Sequence, residues 1–391
     1  MNIVFITLLY PSDKSQSLTD VPYVLHYLVK RWIKENHNVT VFKIETTYPK
    51  FIPIYSKKNK ERTERLTQID DVPVYNLPIK KNLNKRFSST SLETSSKSAL
   101  DHILKSNIAC DVVVVHGLDP SYYVGNFIKQ FFDVPLIAGI HTTDRIWINK
   151  KKNQKIFEKH KDNIDGYAFR SHSLEKSFKK FIDEEDKRFV IASGIDSKLV
   201  LTIKELENKK TRKSSRFVVV SNLIKRKNVD LVLKAFEKIK HTDPLVTLTI
   251  IGDGKEKEKL KKLIMHLNLE NSVNLVGSKS REDVFKYLEE SDVFVLPSVN
   301  ETFGIVYMEA MAKGCIPIGT INEGIDGIIK NGENGYLCKP ALESVFECMS
   351  EAISLKDKEK SNLLENVHHT ALTYSEENCA ENYMKNLAGF L

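Results

Sequence analysis

The fold class this sequence predicts is α/β, in two doubly wound domains, and three observations predict it. Short all-apolar runs, at 111–115, 134–140, 217–220 and 293–296, recur between segments of helical length, as strands buried on both faces do. Several runs end in polar residues: His116, then His141 and Asp144, then Arg170-Ser171-His172, then Ser193-Gly194. Open α/β sheets bind ligands on that carboxyl-end rim. Finally, 391 residues exceed what one hydrophobic core comfortably serves.

Composition narrows the class. Charged residues at 28% and hydrophobic ones at 41% describe an ordinary globular chain. The five cysteines are scattered, with no metal-ligand spacing, so a reducing cytoplasm is the expected setting. The apolar run at 1–9 is too short to span a membrane and lacks a charged leader, so it reads as a first buried strand. The net charge of +8 is uneven: residues 1–200 hold 32 Lys and Arg against 23 Asp and Glu, residues 201–391 hold 27 against 28. No nucleic-acid-binding module accompanies the basic clusters, so no nucleic-acid partner is expected. An anionic membrane surface is one reading of the basic N-terminal half, and simple solvation of its lysines is the other.

In chain order, residues 2–9 predict a strand. Leu18-Thr19-Asp20 leads into a helix with Val21, Val24, Leu25, Leu28, Val29 and Trp32 at helical spacing, and 39–44 is the next strand. This opening is a mononucleotide-type half-fold. Residues 46–100 carry basic clusters (Lys57, Lys58, Lys60, Arg62; Lys80, Lys81, Lys85, Arg86), apolar Phe51, Ile52, Ile54 and Tyr55, and a Ser/Thr-rich run. They read either as an acceptor- or membrane-facing excursion or as a flexible loop region. Alternation resumes at 111 and continues to 192; the charged, poorly periodic 198–215 reads as a linker. Beyond it follow a strand at 217–220, a helix at 229–239, a strand at 245–251, a helix at 255–267, a strand at 273–276 and a helix at 280–291. Later helices are expected at 344–355 and 361–372, with a last one at 374–391 started by Ser375.

The most informative stretch is 292–324. A buried strand is bounded by Pro297; Ser298, Val299 and Asn300 make a polar turn; Glu301-Thr302-Phe303-Gly304 leads into an amphipathic helix over 305–313, stopped by Gly314. Glu301 thus sits on a strand's carboxyl-end loop, and Glu309, eight residues on, lies within the helix. Gly304 lets backbone N–H groups at the helix start approach an anion, which the helix dipole favours. Each carboxylate can take two hydroxyls of a sugar or ribose. The spacing alone equally fits a dipole-complementing acid and a solvated helix residue.

The string from Glu301 to Glu309, embedded in F-G-I…E-A-M-A-x-G-x-P and followed by N-G-E-N-G-Y at 331–336, resembles the E-x7-E signature of retaining GT-B glycosyltransferases of the family 4 type. The resemblance implies two Rossmann-like domains facing a cleft: 1–197 for the acceptor, a linker at 198–215, 216–372 for the nucleotide sugar, and a helix at 373–391 packing back on the first domain. It implies that Glu301 holds donor-sugar hydroxyls and Glu309 the ribose. The loop 221–228 is similar to the family's phosphate clamp, with Lys227 on the family's lysine and Asn222 where arginine is usual. Val276 and Gly277 would border the base, and Thr302, Phe303, Gly304 and Ile305 the sugar and phosphates. His116 would face the reaction centre, with His141 and Asp144 on the acceptor side. The family's first-loop Gly-Gly pair is missing from 11–17, and Glu323-Gly324-Ile325 replaces the common Gly-Gly-Ile.

The same resemblance implies a nucleotide-diphosphate sugar as co-substrate, UDP-sugar favoured, and a glycan or lipid-linked acceptor of polysaccharide biosynthesis at the inner membrane face. No cofactor is expected, and, with no D-x-D motif, no metal. The sequence offers no convincing nucleophile, so same-face attack assisted by the leaving phosphate is the expected retaining route. Two other readings remain open: a GT-B-fold phosphorylase or nucleotide-sugar epimerase, and a non-catalytic partner subunit that binds a sugar nucleotide.

Overall fold

Residues 1–11, 23–48, 65–82 and 86–391 are described by a computed structural model of the chain, and they divide into two α/β units. The loop at 12–17, Val21, the residues Phe51 to Arg62 singled out above, and Lys85 lie outside the described residues.

The first unit comprises Met1–Arg170, Leu174–Ile191 and Cys379–Leu391. Its order is β1 Asn2–Thr7, α1 Val24–Lys34, β2 Asn38–Thr47, β3 Arg65–Ile69, β4 Val72–Lys80, α2 Ser89–Lys105, β5 Val112–His116, α3 Ser121–Phe132, β6 Leu136–Ile140, α4 Thr142–Ile148, α5 Lys151–Glu158, β7 Gly166–Phe169, α6 His172–Phe178 and β8 Arg188–Val190. The sheet runs β3-β4-β2-β1-β5-β6-β7-β8, parallel throughout except for the β3–β4 hairpin. Strands β1 and β5 are the point where strand order reverses, so their carboxyl ends, with Thr7 paired to His116, border a natural ligand crevice.

Within the stretch 46–100, the described residues 65–82 and 86–100 form strands and a helix rather than a loop region. Asp70 and Asp71 both take positive φ (46° and 66°), the geometry a two-residue hairpin turn demands. The Ser/Thr-rich run is helix α2, N-capped by Ser88, whose inward residues include Ser95 and Ser96 beside Ala99 and Ile103. The Ser95 hydroxyl donates to the Pro78 carbonyl at 2.9 Å, so a small polar side chain is accommodated in the interior.

The second unit comprises Ser171–Ser173 and Ala192–Asn378. It contains α7 Ile203–Thr211, β9 Arg216–Val220, α8 Val229–Thr242, β10 Thr247–Ile251, α9 Lys257–His266, β11 Val273–Gly277, α10 Arg281–Glu290, β12 Val293–Val295, α11 Ile305–Ala312, β13 Ile316–Thr320, β14 Tyr336–Cys338, α12 Leu342–Ser354 and α13 Asp357–Thr373. All six strands are parallel, in the order β11-β10-β9-β12-β13-β14. The chain steps outward from β9 to β11, then returns to place β12 on the other side of β9. That reversal brings the loops after β9 and β12 side by side.

Two expectations are corrected here. Residues 198–215 are not a bare linker: α7 carries a Thr202–Glu205 capping box, buries Leu206, and sends Lys209 inward, where its Nζ donates to the Ser291 carbonyl at 2.7 Å. Helix α11 is not amphipathic, because Tyr307, Met308, Ala310, Met311 and Ala312 are all buried and most of its surface faces the core. The last helix, α14 Glu376–Ala388, places Tyr383 and Leu387 in the first unit's core, and the Trp32 indole donates to the Ala380 carbonyl at 3.2 Å.

Candidate active site

In the second unit the loops after β9 and β12 are laced together by backbone. Val299 N–H donates to the Arg226 carbonyl at 2.9 Å, and the Asn228 side-chain amide to the Pro297 carbonyl at 2.8 Å. Asn228 takes positive φ (52°), which turns the chain into α8. The lacing aims the basic triplet of 225–227 at Glu301. Lys227, almost fully buried, ion-pairs with Glu301; Arg226 Nη1 lies 3.3 Å from the same oxygen, and Ser298 Oγ donates to it at 3.3 Å. Burial alone would raise the Glu301 carboxyl, but the charges of Lys227 and Arg226 outweigh it and hold the acid below its ordinary value. Burial lowers the Lys227 ammonium despite that partner. The Glu301 N–H is taken by Glu323, at 2.9 Å. Asn222 sits exposed at the start of this loop, and Lys225 beside it is also exposed.

Gly304 begins α11 at φ +83°, and a Cβ there would lie 2.7 Å from the Tyr307 ring, so both backbone and space require glycine. Tyr307 in turn donates its hydroxyl to the Leu296 carbonyl, fixing the helix start to the end of the strand. Phe303 is buried while Thr302 and Ile305 are half-buried at the helix mouth. Glu309 faces Arg281, whose Nε lies 3.1 Å from the carboxylate; burial raises the acid above its ordinary value against the pull of that guanidinium. Val276 and Gly277 end β11 half-buried, with Gly277 at φ +73°. Arg281 escaped the sequence reading. Its only local signal is a position just after the Ser280 N-cap of α10.

In the first unit the strand-end histidines meet. His116 Nδ1 lies 2.9 Å from His141 Nε2, and His116 Nε2 lies 3.2 Å from the Tyr383 hydroxyl. Gly139 makes this possible, since a Cβ there would lie 2.5 Å from the His116 ring. His116 is fully buried with both ring nitrogens engaged, and His141 is the half-exposed member of the pair. Burial and the nearby Arg170 charge keep His141 neutral, its pKa held down to about 3; burial, then His141, lowers His116 well below the usual range. Asp144 accepts N–H bonds from Leu118 (2.7 Å) and His141 (2.8 Å), clasping the two strand ends. Burial pushes its carboxyl up to about 6 against those bonds. Tyr383, on the last helix, is the partner of His116 that sequence reasoning missed.

Among the described residues no group of three or more His, Cys, Asp or Glu could hold a metal ion, and no helix is long and apolar enough to cross a membrane.

Two parallel-sheet units, the second with acids and cations gathered on a strand-order reversal, define a two-domain α/β protein of nucleotide-binding type. The fold is that of HepE from Anabaena, solved in complex with UDP (TM-score 0.72, 16% identity, all of both chains covered). The family described as "Glycosyltransferase Family 4" matches residues 21–199, and "Glycosyl transferases group 1" matches residues 202–368. With nearly the whole chain so covered, this protein belongs to the GT-B glycosyltransferases of the family 4 type. N-acetyl-alpha-D-glucosaminyl L-malate synthase of Bacillus anthracis is 28% identical over 236 residues, 59% of this chain and 61% of that one, under two thirds of its length. An uncharacterized glycosyltransferase of Methanocaldococcus jannaschii is 26% identical over 299 residues, covering 75% of this chain and 80% of its own.

Proposed function

We propose that the protein transfers a sugar from a nucleotide-diphosphate donor, a UDP-sugar by preference, to a hydroxyl of a glycan or lipid-linked acceptor, with retention of anomeric configuration. The observation that carries this is the convergence of Lys227, Arg226 and the amino end of α11 on Glu301 where strand order reverses. A diphosphate arriving there meets two cations and the positive end of a helix. Lys227 exchanges its bond to Glu301 for phosphate oxygens, which frees the carboxylate to grip donor-sugar hydroxyls. Glu309, steadied by Arg281, takes the ribose. The cations then stabilise the charge developing on the leaving diphosphate without a metal, and that oxygen assists same-face attack by the acceptor. The half-exposed His141 faces the acceptor side, with His116 and Asp144 fixing it from behind. UDP is favoured because HepE, alike in fold, was solved with UDP and with UDP-glucose.

The test is a thermal-shift series with UDP-, GDP- and ADP-sugars, followed by product analysis with the nucleotide that binds. Binding to the folded state raises the melting temperature by mass action. Glu309→Ala should weaken nucleotide affinity, and Glu301→Ala should mainly lower turnover. Wild-type constants in both variants, or a product of inverted configuration, would overturn the assignment.

A further inference from the structure

Where Gly-Gly-Ile is common in the family, the loop after β13 carries Glu323-Gly324-Ile325, and the extra carboxylate is set against the Glu301 loop. Glu323 Oε2 accepts the Glu301 N–H at 2.9 Å. The adjoining Gly324 is pressed onto the next peptide: a Cβ there would lie 2.5 Å from the Thr302 carbonyl carbon and 2.5 Å from the Phe303 nitrogen. Backbone bonds hold the loop in that place. Glu323 N–H donates to the Thr320 carbonyl at 3.3 Å, and Asp326 N–H to the Glu323 carbonyl at 2.9 Å. Glu323 is half-buried, and its second oxygen, Oε1, meets no donor among the described residues. Glu301 and Glu323 both lie near enough to the Tyr307 hydroxyl to add to the rise that burial gives its pKa.

Strand order gives these contacts a direction. In β11-β10-β9-β12-β13 the Glu301 loop stands between the β9 loop, with Arg226 and Lys227, and the β13 loop, with Glu323. Val276 and Gly277 close β11 at the far end of the same rim. A nucleotide sugar laid along this rim, with its base towards β11 and its diphosphate on the cations, carries its sugar past Glu301 to Glu323. The phosphates then occupy both cations, and the sugar is left facing two carboxylates. Sugar hydroxyls donate to carboxylates, whereas an ionised acid on the sugar has no proton to donate and meets like charge. From this we infer that Glu323 is a specificity-determining residue, restricting the donor to nucleotide sugars that carry no carboxylate, hexoses and acetamido sugars rather than uronates. The inference deepens, and rests on, the donor reading above.

The test is calorimetric binding of UDP-glucose and UDP-glucuronate to the full chain, as wild type, E323Q and E323G. The two ligands share base, ribose and diphosphate and differ only in a carboxylate on the sugar, so the ratio of their dissociation constants isolates that group. Wild type should bind UDP-glucose the more tightly. One like charge across a partly solvated site costs about tenfold in affinity, so E323Q should bring the two constants about tenfold closer together. E323Q keeps an oxygen for the Glu301 N–H and gives up only the charge. E323G, which restores the residue common in the family, should close the gap as far. A role confined to holding the loop would weaken both ligands alike and leave the ratio where it was. An unchanged ratio in E323Q, with UDP-glucose still bound, would overturn the inference alone, as would wild type binding UDP-glucuronate as tightly as UDP-glucose. Failure of wild type to bind either ligand would overturn the donor reading and this inference with it.

Discussion

The Lys227–Glu301 pair allows one claim to be worked through in numbers. Lys227 and Glu301 side chains are only 11% and 15% exposed, so their attraction acts in a poorly solvated site. Lys227→Met removes the closer cation and leaves the carboxylate buried with Arg226 at 3.3 Å and the Ser298 hydroxyl. Breaking a buried pair by deleting one partner costs about 3–5 kcal/mol. Arg226, itself 41% exposed, offsets part of this, so the lower end, about 3 kcal/mol, is the expected loss. For a unit of this size that is roughly 6–12 °C in Tm. Removing both charges is a different perturbation, because replacing a whole buried pair is often nearly neutral. The double variant Lys227→Met/Glu301→Gln should therefore lie within about 1 kcal/mol of wild type, giving a coupling of at least about 2 kcal/mol.

The assay is a double-mutant cycle by urea unfolding, run with and without UDP. The single Lys227→Met variant should lose both stability and the UDP-induced shift, while the double variant regains stability and still fails to respond to UDP. That separation is the point: the proposal gives the pair two roles, holding the loops in the free protein and supplying the cation that binds the donor. Additivity within about 0.5 kcal/mol would refute the pairing, and a UDP shift in the double variant would refute the role of Lys227.

Three further outcomes are expected. Arg281→Ala leaves Glu309 without its guanidinium and should raise the nucleotide Kd about tenfold by calorimetry, the worth of one charge-assisted bond; an unchanged Kd would detach Arg281 from the ribose site. Gly304→Ala forces a side chain onto positive φ and against Tyr307, and should cost about 1–2 kcal/mol in denaturant unfolding; wild-type stability would show that the turn is relaxed. Asp144, with its folded pKa raised to about 6, stabilises the fold fully below its unfolded value of about 4 and loses that contribution as pH rises through about 6. Asp144→Asn should flatten that fall, a difference of about 2–3 kcal/mol across the window, and identical pH profiles for the two proteins would mean that the carboxyl is not buried in its charged form.

What was legible in the sequence depended on how far apart the interacting residues are. Buried strands announce themselves over five residues, and the Gly304–Glu309 segment over six, so β5, β6, β9, β12 and the α11 start were readable from apolar runs and punctuation. Helices with unusual inward residues were not. Ser95 and Ser96 disguise the buried face of α2, and Lys209 that of α7, because a polar side chain that finds a carbonyl in the interior breaks the apolar period on which the reading relies. The partners of the site residues were hidden for a different reason. Lys227 meets Glu301 across 74 positions, Arg281 meets Glu309 across 28, and His116 meets Tyr383 across 267. The first meeting follows from which strand lies beside which and the other two from where a helix packs, and hydrophobic periodicity carries no information about either. Once β12 is known to return beside β9, the loops carrying Lys227 and Glu301 have to be neighbours, and two oppositely charged side chains shielded there from water have to pair or be neutralised. The free protein therefore keeps Lys227 paired with its own acid, so on the proposed reading the affinity for nucleotide includes the cost of separating them. Donor binding by calorimetry should consequently be tighter in Glu301→Gln than in the wild type, since the amide keeps the hydroxyl contacts while giving up the charge that competes for Lys227.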